Sequence, residues 1–295
     1  MKIFESSEGN VWKYVFDIEF QSAITEAVLY RYGTWKDRTV LCMSVQSGCP
    51  VGCTFCGTGN KFIRNLSVNE IISQVQYVFY DKYLFDEVKD CKKLQIMFMS
   101  MGEPFMNYNN VATAIQALHY TYPNADLLVS TIAPNAVWRY GQAFIELSKE
   151  IPKVGLQFSI HASTDGIRDT IIPYRNKMSL CELRNYGVQW WHETSRKPYI
   201  NYCITDEFTI GWDGWNLLDL FPPNVFNLTL SVLCSADETM KDAGYRNLEQ
   251  IKDYEQWFMD KGYNTRVFDP AGQDDIGGGC GQLWYVQQYM ENYND

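Results

Sequence analysis

A chain of 295 residues, 46% hydrophobic and 20% charged, has the makeup of a globular protein with a sizeable core, and no apolar run approaches the ~20 residues that span a bilayer. The formal net charge of −10, with no Lys or Arg after Arg266, disfavours a protein built mainly to grip polyanions, although a local basic patch around Lys61 and Arg64 stays open. The opening MKIFESSEGN has no apolar leader, so a cytoplasmic location with no membrane partner is expected.

The first 38 residues alternate polar and apolar side chains (VFDIEF, then AITEAVLYRYG), with turn signals at Gly33 and Asp37. This period of two predicts an N-terminal β-hairpin extension over 1–38, packed on a main unit over 39–295. Strands are then expected at 39–45, 94–101, 126–132, 154–160, 199–205 and 226–233, where short apolar runs are rich in Val, Ile, Leu and Phe. Helices are expected between them, near 67–82, 109–120, 134–149, 179–193, 213–220 and 244–262. The first opens on Ser67-Val-Asn-Glu70, a capping box. Alternating strands and helices imply parallel pairing in an α/β fold, and six units suit a partial (βα)6 barrel better than a closed one. Ligands of such a barrel sit at the carboxyl ends of its strands.

The nine cysteines are odd in number, and four crowd between Cys42 and Cys56, which points away from a disulfide scaffold. Cys91, Cys181 and Cys203 are expected to be small buried hydrophobes. Cys49-Pro-Val-Gly-Cys53-Thr-Phe-Cys56 follows the first main strand. Three thiolates at this spacing hold three irons of a cubane and leave the fourth open to a small ligand. A closed zinc site needs four ligands, and His119, His161 and His192 are all far from the triplet in sequence. The spacing, with Phe55 before the last Cys, matches the radical S-adenosylmethionine (SAM) signature, in which the open iron of a [4Fe-4S] cluster holds SAM. Further SAM contacts are expected at three strand ends: Gly102 and Glu103, Ser130, and Ser159 with His161. The hydroxyls and the His have ordinary structural readings too, and Gly-Glu-Pro is a common strand-ending turn.

Over residues 24–284 the chain resembles the radical-SAM RNA adenine methyl synthases, the RlmN/Cfr family. The resemblance rests on Leu41-Cys42 through Gly59, Arg64-Asn65-Leu66, MGEP, VSTI, FSIHAS-x-D-x-IRD-x-IIP at 158–173, and a C-terminal Asp274-Asp275-Ile276 followed by Cys280-Gly281-Gln282-Leu283. It implies a radical-SAM barrel and a C-methyltransferase that consumes two SAM molecules per turnover. One methylates Cys280. The other yields a 5′-deoxyadenosyl radical that takes hydrogen from the S-methyl group, and the methylene adds to an adenine carbon. Cys42 would then resolve the adduct as a disulfide, which needs a thiol reductant, while a flavodoxin or ferredoxin feeds electrons to the cluster. Glu26 aligns with a family acidic residue near the substrate.

The chain departs from the family around the substrate. Only 25 residues precede Glu26, where the family's RNA enzymes carry an accessory domain, so a short divergent member is expected. The ending WYVQQYMENYND replaces a basic tail, and Cys234 stands near the family's strand-end Asn. RNA therefore competes with a nucleotide, small metabolite or peptide as substrate. A third reading, a non-catalytic metal-binding module, predicts zinc and gives Cys42 and Cys280 no task.

Overall fold

The computed structural model describes residues 1–18, 23–205, 207–232, 248–268 and 276–278. Its frame is a ten-stranded sheet in the order β1-β2-β3-β4-β7-β8-β9-β10-β11-β12. Strands β1 (Lys2–Glu5), β2 (Val11–Ile18) and β3 (Ala23–Tyr32) run antiparallel and join β4 (Arg38–Met43) edge to edge. The extension therefore has three strands rather than the expected hairpin, and it continues the main sheet.

From β4 onward the pairing is parallel through β7 (Lys93–Phe98), β8 (Asp126–Thr131), β9 (Val154–Ser159), β10 (Tyr199–Ile204), β11 (Asn227–Val232) and β12 (Thr265–Phe268). The six predicted strands are all present, and β12 adds one the sequence reading missed. A separate two-stranded sheet, β5 (Gln46–Gly48) with β6 (Phe62–Asn65), closes the base of the cysteine loop. The result is a partial α/β barrel.

The helices form where amphipathic stretches meet strong caps. In α1 (Val68–Asp81), Ile71, Val75, Val78 and Phe79 make one buried stripe, and Ser67 and Glu70 close the capping box. Between α1 and the helices that follow lies α2 (Phe85–Lys89). Next come α3 (Tyr108–Thr121), α4 (Ala136–Glu150) and α5 (Asp165–Ile171). The last are α6 (Leu180–Thr194), α7 (Trp215–Leu220) and α8 (Leu248–Asp260). Their apolar faces and the outer face of the sheet share one large core that runs from Trp12 to Tyr263. The extension is tied to this layer by Tyr14, whose hydroxyl donates to Asp81 Oδ2 at 2.7 Å. Cys91 and Cys203 are buried as expected. Cys181 is exposed, because α6 turns Leu180, Leu183, Tyr186, Gly187 and Trp190 inward and leaves position 181 on the opposite face.

Among the described residues, no helix is long and apolar enough to cross a membrane.

Candidate active site

The cysteine loop is built by backbone geometry. Gly48 sits at φ +73°, and a Cβ there would lie 1.8 Å from the Lys61 carbonyl oxygen, so the β5–β6 closure requires glycine. Cys49 N then donates to Lys61 O at 3.0 Å, and Cys56 N donates to Cys53 O at 3.0 Å, folding the loop back on itself. All three cysteines line one cleft of about 120 Å³ at the carboxyl ends of the parallel strands. Burial pushes the Cys49 thiol up to about 12 and raises that of Cys56 as well. Thiolates at such positions need cationic charge beside them, and irons supply it. Among the described residues, no three His, Cys, Asp or Glu side chains converge tightly enough to hold a single metal ion.

Opposite the cysteines stand the strand-end groups. Gly102, at φ +97°, leaves room for the Gln46 side chain, since a Cβ there would lie 2.5 Å from Gln46 Cβ. Glu103 is fully enclosed. Its carboxylate accepts from Thr131 Oγ1 (2.6 Å), Ile132 N (2.9 Å) and Phe105 N (3.0 Å), while its own N–H donates to Gln46 Oε1 at 2.8 Å. Burial nevertheless outweighs these donors and pushes its acid up to about 7. Ser130 and Ser159 hydroxyls lie 3.1 Å apart on adjacent strands.

His161 adopts φ +55° and accepts from Cys203 N at Nδ1 (3.1 Å), so its proton sits on Nε2. Burial, reinforced by the Arg168 charge, lowers its pKa to about 3 and keeps the ring neutral. Phe55 packs edge-on against it at 4.9 Å. The fold thus gathers Cys49, Cys53, Cys56, Phe55, Gly102, Glu103, Ser130, Ser159 and His161 around one cleft.

Several contributors were not legible. Asn201 lines the cleft from the middle of a strand, Gln46 fixes the Glu103 backbone, and buried Arg168 clamps the Ile132 and Met178 carbonyls at 2.7 and 2.6 Å. Arg64, considered above as part of a basic patch, is committed to Glu70 through paired bonds of 2.9 and 2.7 Å.

Cys42 is buried on β4, paired across the sheet with Val28 and Met97, and its Sγ lies 3.7 Å from Met97 Sδ. Cys280 and Cys234 lie outside the described residues. The short segment 276–278 does not: Ile276 packs against the apolar group containing Cys42, and the Tyr30 hydroxyl donates to the Gly278 carbonyl. Glu26 faces the same side of the sheet as Val28 and Cys42. It is fully buried 2.7 Å from Lys13 Nζ, yet among the described residues neither of its oxygens accepts an aligned hydrogen bond.

No family model matches the chain. Its relatives include a probable dual-specificity RNA methyltransferase RlmN of Dictyoglomus turgidum, 32% identical over 97% of this chain and 79% of that protein. One of the same name from Pseudothermotoga lettingae is 30% identical over 94% of this chain and 77% of its own length. The chain belongs to the RlmN/Cfr-like family. Among solved structures, a radical SAM methyltransferase from Sphaerobacter thermophilus superposes with a TM-score of 0.79 at 27% identity, covering 96% of this chain and 80% of that one. SAM-bound SuiB of Streptococcus suis, at TM-score 0.58 and 12% identity, shares the fold. As an RlmN/Cfr-like protein, the chain is a radical SAM methyltransferase that uses SAM and an iron–sulfur cluster, and the three-thiol cleft fits both.

Gly48→Ala in this RlmN/Cfr-like enzyme is expected to displace Cys49. The left-handed backbone alone costs about 1–3 kcal/mol in a non-glycine residue, and the collision with Lys61 O adds to it. Iron and sulfide incorporated on anaerobic reconstitution should fall severalfold. Native iron content in a folded Gly48→Ala protein would show that the loop tolerates the side chain.

Proposed function

We propose that the enzyme methylates an sp2 carbon of an adenine in RNA, through a methyl group carried on Cys280 and released by Cys42. Cys49, Cys53 and Cys56 would hold a [4Fe-4S] cluster with one open iron, and Phe55, Gly102, Glu103, Ser130, Ser159 and His161 would form the SAM pocket. When bound, that pair supplies the radical chemistry that a non-nucleophilic ring carbon demands. Two SAM molecules serve each turnover, one of them as methyl donor to the Cys280 thiolate.

The protein's own part is sulfur chemistry. Once the carbon on Cys280 Sγ is bonded to the base, the Cys42 thiolate attacks that sulfur. An S–S bond forms, the S–C bond breaks, and its electron pair goes to the new methyl carbon, which takes a proton. A thiol reductant then restores both cysteines, and a flavodoxin or ferredoxin supplies the cluster. Glu26, whose carboxylate oxygens have no aligned hydrogen-bond donor among the described residues, is suited to take a hydrogen bond from an amino group of the base.

The observation that carries this reading is the anchoring of 276–278 over the Cys42 face by Tyr30 and Ile276. Cys280 follows Gly278 by two residues, a reach of at most about 7 Å of chain. RNA is favoured by the activity named for the relatives. A second reading keeps the relay but takes a nucleotide, metabolite or peptide, and the net charge of −10 favours it.

After anaerobic reconstitution with SAM, the peptide containing Cys280 should gain the mass of one methyl group, absent in Cys280→Ala. An unmodified Cys280 in an enzyme that cleaves SAM would sink the relay. Binding to RNA that does not weaken with added salt would remove phosphate recognition from the account.

A further inference from the structure

The lower half of the barrel lumen mixes apolar and polar side chains and carries an excess of positive charge in an acidic chain. Below the cysteine cleft, a second cavity of about 250 Å³ opens at the amino-terminal ends of the strands. Lys93, Gln95, Asp126, Gln157, Tyr199 and Arg266 line it. The two cavities meet at Met99 and Ser130, which line both.

The strand register forces this charge together. Arg38 on β4 is the direct partner of Lys93 on β7, so two cations stand side by side at the mouth. Arg38 Nε donates to Gln95 Oε1 at 3.2 Å and lies 4.4 Å over the Tyr32 ring. Across the lumen, Arg266 donates to Thr229 Oγ1 (2.9 Å) and Gln157 Oε1 (3.1 Å) and stacks on Tyr199 at 4.3 Å. All of these partners are neutral. Among the described residues, none of Arg38, Lys93 and Arg266 forms a salt bridge. The carboxylate in the lining, Asp126, is engaged by Lys153 at 3.1 Å. Burial first, then the charges of Arg38 and Arg266, push the Lys93 ammonium down, and the Asp126 carboxylate offsets them only in part.

We propose that this amino-terminal mouth is a binding site for a small phosphate-bearing anion, distinct from the cleft that holds the cysteines. Guanidinium groups offer paired N–H donors that match phosphate oxygens, and Lys93 adds a compact charge beside them. The cavity is at the small end of ligand pockets, which admits a pyrophosphate or a phosphorylated small metabolite rather than a nucleic-acid strand. Occupancy would neutralise the repulsion across the Arg38–Lys93 pair and stabilise the barrel by mass action.

The test uses the full chain with its cluster reconstituted under anaerobic conditions and sodium pyrophosphate as probe. Melting temperature is followed against a potassium chloride series of equal ionic strength. Pyrophosphate should raise it saturably, and its apparent affinity should fall at least tenfold in Lys93→Gln, whose side chain is at the solvent edge and whose fold should survive. Arg266→Gln should lose the effect too, while Lys36→Gln, on the outer surface, should keep it. A shift no larger than that of chloride overturns the site, as does one unchanged in Lys93→Gln. A shift with a short RNA but none with pyrophosphate would assign these cations to a nucleic-acid backbone and overturn the small-ligand site as well.

Discussion

Cys42→Ala enzyme is expected to start one turnover and fail to finish it. Steady-state methylation should fall at least ~10³-fold, because removing one member of a unit that acts together abolishes what the unit does. Substrate should instead accumulate covalently on the protein through Cys280, visible as a species that survives denaturing electrophoresis and disappears on nuclease treatment if the substrate is RNA. The side chain is small and buried on β4, so its loss costs the fold little: a cavity of one sulfur atom is worth about 1 kcal/mol. Circular dichroism of the variant should therefore match the parent. Cys280→Ala must give neither product nor adduct, since it lacks the sulfur that carries the carbon. Turnover by Cys42→Ala at the parent rate would mean that the adduct is released by another route.

The cysteine loop was legible because its chemistry is local. Cys49, Cys53 and Cys56 lie within one short loop, and Gly48 and Gly102 mark positions where a side chain collides with neighbouring backbone or Gln46. The six central strands were legible because each sends apolar residues to the outer, helix-covered face. Strand β12 escaped notice for the complementary reason: its four residues TRVF are half-buried, and Arg266 points its charge into the lumen. The lumen itself reads as noise along the chain. Lys93, Gln157 and Arg266 are scattered polar residues until the register of β7, β9 and β12 brings them around one cavity, with Arg38 of β4 paired beside Lys93. Asn201 was missed for the same reason, as an unremarkable polar residue in the run YINYCI until three strand ends converge on it. The pairing of Lys13 with Glu26 is likewise a product of register, since Val15 rather than Lys13 stands directly opposite Glu26.

That ion pair should dominate the stability of the extension. Lys13 and Glu26 are 2% and 0% exposed with 2.7 Å between Nζ and Oε2, so each charge relies on the other for what water no longer provides. Lys13→Met strands the Glu26 carboxylate, which has no aligned donor among the described residues, and removal of one partner from a buried pair costs about 3–5 kcal/mol. The loss should appear as a lowered urea midpoint. Lys13→Met with Glu26→Gln removes both charges and should recover most of it, because the desolvation penalty of the pair goes with its attraction. Activity separates the two partners further. If Glu26 accepts a hydrogen bond from the substrate, the double variant regains stability while methylation stays low, with the loss in kcat/KM rather than in Cys280 methylation. If the double variant recovers both, Glu26 is an element of the fold, and the base must be held by other groups on the face that carries Cys42.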